Sequence, residues 1–90
     1  MNNVARIETE ESLIKAVESL SIDSVKELLS RFSFNQDVLK ELTIQVIDKD
    51  LDLAEILIKN TDKTTKKLAI LEIADNDRVL SKKLEERVDL

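Results

Sequence analysis

The stretch LTIQVIDKDLDLAEILI, residues 42–58, decides the fold once it is laid over LIKAVESLSIDSVKELL, residues 13–29. At this shift of 29 residues Leu13 meets Leu42, Val17 meets Val46, Asp23 meets Asp52 and Leu28 meets Leu57. Ile22 with Leu51, Val25 with Ala54 and Leu29 with Ile58 are conservative pairs. On both sides of a short polar break, apolar residues recur at three- and four-residue spacing, the period of an amphipathic helix. Each copy therefore reads as two helices joined by a tight turn.

The break in the second copy, DKDLD at residues 48–52, places acids at alternate positions, as a calcium-binding loop of the EF-hand type does at its start. Such a loop also needs glycine at its sixth position and a bidentate glutamate at its twelfth. Here those positions hold Leu53 and Lys59. The aspartates read instead as a hairpin turn whose carboxylates cap the following helix and face the positive end of its dipole. No metal and no cofactor is expected.

Outward from these copies the same period predicts six short helices. The first covers about residues 9–20 with Leu13, Ile14, Val17 and Leu20 as its stripe, and the second runs to about Arg31 over Val25, Leu28 and Leu29. Ser21 or Ser24 is placed to cap the second. Ser33 and Gln36 have capping-box spacing, which predicts that a third helix begins there and reaches about Ile47 through Val38, Leu39, Leu42 and Val46. The fourth, about 51–60, is apolar nearly all round and is expected to be the most buried. After a polar break at 60–63, Leu68, Ile70, Leu71, Ile73 and Ala74 mark a fifth helix; Val79, Leu80, Leu84 and Val88 give a sixth only a narrow stripe. The expected fold is all-α: one domain over residues 1–90, built of three stacked antiparallel hairpins at about 9–31, 35–60 and 62–88, either as a short solenoid or as a compact bundle.

Composition agrees with that reading. The 90 residues are 42% hydrophobic and 37% charged, a folded rather than disordered balance for one small domain. Gly and Pro are both absent, and hairpin turns of β-sheets depend on them. With no Cys there is no disulfide or thiolate ligand. No apolar run approaches the roughly 18 residues of a membrane span, and MNNVARIETEES lacks the regions of a signal peptide, so cytoplasmic residence is expected.

The segment AVESLSIDSVKELLS, residues 16–30, resembles the helical part of an ankyrin repeat through Ala16, Ile22, Asp23, Val25, Lys26, Leu28 and Leu29; the next unit matches through Val46, Leu51, Asp52, Ala54, Leu57 and Ile58. Leu20 and Lys49 stand where that family has glycine, its Thr-Pro-Leu-His start is missing, and no segment supplies its β-hairpin. The resemblance covers about half the chain and implies a protein-binding scaffold without catalytic chemistry.

The residues present point the same way. There is no His or Cys to act as general base, metal ligand or thiol nucleophile, and no Gly for a phosphate loop, so an enzyme is not expected. Lys63, Lys66, Lys67, Arg78, Lys82 and Lys83 gather in the last hairpin, but residues 61–90 hold seven acids and seven bases and no aromatic residue to stack a base, which argues against nucleic acid. Residues 1–60 carry twelve acids and seven bases, hence the whole net charge of −5. An acidic body with Glu8, Glu10, Glu11, Glu18, Asp48, Asp50 and Asp52 steers toward a basic protein partner. Phe32 and Phe34 sit at the break between hairpins, where one ring can fill the core and the other anchor a partner. The candidate contact residues are Glu18, Phe34, Asp48, Asp50 and Asp52. The function expected is a small acidic adaptor or inhibitor; a self-assembling structural protein, and a nucleic-acid accessory protein using the C-terminal lysines, are the alternatives.

Overall fold

The computed structural model describes residues 7–88, with side chains from Thr9 to Val88. Six helices follow in order: α1 Ile7–Glu18, α2 Ile22–Arg31, α3 Gln36–Val46, α4 Leu51–Lys59, α5 Lys63–Asn76 and α6 Arg78–Val88. Consecutive helices pair as α1 with α2, α3 with α4 and α5 with α6. The first members α1, α3 and α5 then pack side by side in one layer, while α4 and α6 pack in the other. The radius of gyration is 12.4 Å and the extents are 38 × 26 × 18 Å, so three hairpins stack into a compact body rather than an extended superhelix. No described helix is long and apolar enough to cross a membrane.

Each break is closed by local chemistry. After α1, the amide of Ser21 donates to the carbonyl of Ala16 and that of Leu20 to Val17, both at 2.9 Å, which is the Schellman closure of a helix end. That closure needs a left-handed residue, and Leu20 supplies it at φ 56°, with no glycine to relieve the contact of its Cβ. Ser21 sits at the N-cap of α2, yet its hydroxyl donates to Ser24 Oγ and makes no cap bond. The next turn uses acids: Asp50 accepts from the Leu53 amide at 3.1 Å and caps α4. Asp62 accepts from the Thr65 amide at 2.7 Å to start α5. Asp77 ends α5 with its own amide and starts α6 by accepting from Val79 and Leu80.

The start of α3 corrects the expected capping box. Asn35 is the N-cap, its side chain accepting from the Asp37 amide, and Ser33 lies outside the helix. Gln36 is released for a longer reach, its Oε1 accepting from the Asp62 amide at 2.7 Å.

One core runs through all three hairpins. Leu13, Val17 and Val25 join Leu39, Leu42 and Val46; Leu53, Ala54, Leu57 and Ile58 are fully buried, and Ala69, Ile70, Ile73 and Leu84 complete it. As expected, α4 is the most enclosed helix. Several apolar residues assigned to stripes lie outside: Ile14 is 36% exposed, Leu20 41%, Leu68 48%, Leu71 63% and Val79 64%. Small and hydroxylated side chains occupy the core faces in their place. Ala16 and Ala69 allow close approach, and Thr43 and Ser81 satisfy their hydroxyls by donating to the carbonyls of Leu39 and Ile70.

Candidate interaction surface

The acids expected to meet a partner have separate duties. Asp48 is exposed in the α3–α4 turn, whereas Asp50 is engaged as the cap of α4. Asp52 is exposed but bonded to Arg87 of α6, which also reaches Glu55 at 3.4 Å. Those bonds, the one to Asp52 foremost, raise the pKa of Arg87. DKDLD thus acts as turn, cap and tie to the third hairpin. Among the described residues no group of three acids is placed to hold a metal ion.

Phe34 lies between α2 and α3. Its ring is buried, packed edge-to-face on the half-buried Phe32 with centroids 6.4 Å apart, so Phe34 fills the gap between the first two hairpins and offers a partner little surface. Glu18 is exposed at the end of α1; the side chain of Glu8 lies outside the described residues. The C-terminal bases are largely exposed and interspersed with acids, of which Asp62 and Asp77 cap helices and Glu72 pairs with Lys40.

What brings acids together is the seam between α1 and α3. Glu10, Ile14 and Glu18 follow at four-residue spacing and share one strip of α1; Asp37, Glu41 and Gln45 do the same on α3. Between the strips lies a groove of about 300 Å³ lined by Ile14, Val38 and Leu42 with Asp37, Glu41 and Gln45 at its edge. It continues past Gln45 into a second hollow of about 230 Å³ lined by Val17, Val46, Glu18 and Lys49. Glu11 adds a further exposed acid one turn before Ile14. Among the described residues, Glu10, Glu11, Glu18, Asp37 and Glu41 take part in no ion pair. Lys40, the nearby cation on α3, turns away to Glu72 of α5 at 2.9 Å. That bond raises its pKa, with smaller contributions from Glu41 and Asp37.

A larger concavity, about 650 Å³, separates α1 from α2. Ala16, Leu28 and Phe32 line it beside Ser21, bonded to Ser24, and Arg31, paired with Glu27; with Lys15 and Arg31 as well as Glu27 its rim carries both signs of charge, unlike the carboxylate rim of the α1–α3 groove.

The groove was only partly legible in the sequence. Glu10, Glu11 and Glu18 belonged to the expected acidic body, but Asp37 and Glu41 carried no mark of their own, and Ile14 reads as core. The available signal was the alignment of Ile14 with Thr43, a polar residue at the matching position. Comparison of the chain with models of known protein families, with characterised proteins and with solved structures finds no match.

Proposed function

We propose that the chain is a non-enzymatic protein-interaction module, an acidic adaptor or inhibitor that works in the cytoplasm by binding a larger protein with a basic surface. The observation that carries this reading is the α1–α3 seam, where acids that make no ion pair among the described residues border apolar side chains left partly in water. Such a rim steers a basic partner during approach, and the floor supplies area to bury on contact. Stacked hairpins, with Leu20 left-handed at the place where an ankyrin-type unit has glycine, support placing the chain with helical-hairpin repeats.

The test is affinity capture of the tagged chain from its native lysate, beside a variant carrying Glu18→Lys, Asp37→Lys and Glu41→Lys. A stoichiometric partner lost from the variant supports the module. Recovery of only its own copies ends that reading in favour of self-assembly, for which Leu68, Leu71 and Val79, exposed on the third hairpin, are the observation. Sedimentation would then show a mass that rises with concentration.

A further inference from the structure

We infer that the α1–α3 groove receives a cationic amphipathic helix of the partner protein, laid along the seam with its apolar side on Ile14 and Val38, over the buried Leu42, and its Lys or Arg residues against Glu10, Glu18 and Glu41. This rests on the interaction reading above and names the form of the partner at that site.

Shape argues for a helix. From Glu10 to Glu18, and from Asp37 to Gln45, each strip advances eight residues, roughly 12 Å or a little over two helical turns. The groove is therefore long and narrow, bounded by two helices packed side by side. A third helix fits such a trough with anchors at i, i+3 or i+4, and i+7, the mode in which amphipathic helices enter grooves. The trough is also interrupted where a native core would not be: Ile14 is 36% exposed, while Thr43, aligned with it on α3, is fully buried. On α3 that position is covered within the molecule, and on α1 it is left for an outside element.

Charge selects the occupant. The flanking strips present carboxylates on both sides, Lys40 is withdrawn to Glu72, and Lys49 at the far end is the cation lining this seam. A helix with acidic flanks is repelled and a neutral one gains nothing from the rim. The third hairpin of a second copy is a weaker fit: residues 61–90 carry seven acids and seven bases, so its exposed Leu68 and Leu71 bring Asp75 as well as Lys67 to the rim.

The experiment titrates the ¹⁵N-labelled chain with a synthetic Leu/Ala/Lys peptide of about 14 residues, long enough to hold a helix, that is apolar at i, i+3, i+4 and i+7. A scrambled isomer of the same composition is run beside it. Expected are amide shifts confined to residues 10–18 and 37–49, affinity at least about tenfold above the scrambled isomer, and a further loss of about tenfold with Ile14→Lys or with Glu41→Lys. Both variants alter exposed or half-exposed positions, and far-UV circular dichroism confirms that they fold.

Equal binding of the scrambled isomer, shifts centred on α5 and α6, or no groove shifts at all overturns the inference. So does a groove whose resonances move with the concentration of the chain alone, which would assign it to another copy. A lysate partner retained by Ile14→Lys but lost from the acid-reversed variant overturns the groove and leaves the interaction module standing; absence of any lysate partner counts against the module itself.

Discussion

The first hairpin and the second carry nearly the same pattern and bury it to different degrees. Val25 and Ala54 are both fully enclosed, but Leu28 and Leu29 are half-buried where Leu57 and Ile58 are sealed, and Ser24 is exposed where Leu53 is in the core. The second hairpin has a neighbour on each side; the first has one. An apolar residue in a stacked hairpin is buried by what lies beyond it, so an identical Leu contributes according to its place in the stack. The turns differ as well: Asp50 caps α4 through its side chain, whereas α2 begins without a side-chain cap and its turn depends on a left-handed Leu20.

The largest expected effect comes from the aligned leucines. Leu57→Ala should cost about 2–5 kcal/mol by leaving a cavity in a sealed core, and Leu28→Ala about half as much because its surroundings are open to water. Urea unfolding followed by circular dichroism measures both, and equal losses would break the comparison. The caps come next. Asp50→Ala should cost about 1 kcal/mol, while Ser21→Ala should leave the midpoint nearly unchanged, since its hydroxyl makes no bond to the helix start.

Leu20 and Lys49 occupy matching positions, and glycine should act on them with opposite signs. At Leu20 it removes about 1–2 kcal/mol of left-handed strain against about 0.4–1 kcal/mol of added freedom in the unfolded chain, a small net gain. Lys49→Gly has no such strain to relieve and should destabilise by about 0.5 kcal/mol. Thermal melts of the two variants should therefore shift in opposite directions.

The smallest effect concerns pH. The amide of Thr65, followed by its hydroxyl, holds the Asp62 carboxyl below its ordinary value of 3.8. The folded chain favours the charged form, so this contribution is complete above the unfolded value and is lost as pH falls through the lower folded one. A carbon-detected NMR titration of Asp62 should show a midpoint below 3.8.

Six helices and their breaks could be read from the sequence because each break holds capping or turn residues and each helix repeats at 3.6. Boundaries shifted by two or three residues where two caps competed, as at Ser33 and Asn35. The inner face of α5 was less legible: Leu68, Ile70, Leu71 and Ile73 fit two overlapping stripes, and the one chosen by packing runs through Thr65, Ala69 and Ile73. A buried hydroxyl that donates to a carbonyl of its own or the paired helix has no hydrophobic signature, so Thr43 and Ser81 could not be assigned to the core from periodicity. The groove depends on how far α1 stands from α3, a tertiary quantity that neither helix encodes alone.

The order of packing also governs how fast the chain can organise. Every helix finds its principal partners one or two elements away, so only short loops must close before contacts repay the lost chain entropy. With no proline in the sequence, no peptide-bond isomerisation delays refolding. Stopped-flow refolding should be a single exponential within milliseconds, with each hairpin secured as the next one stacks on it.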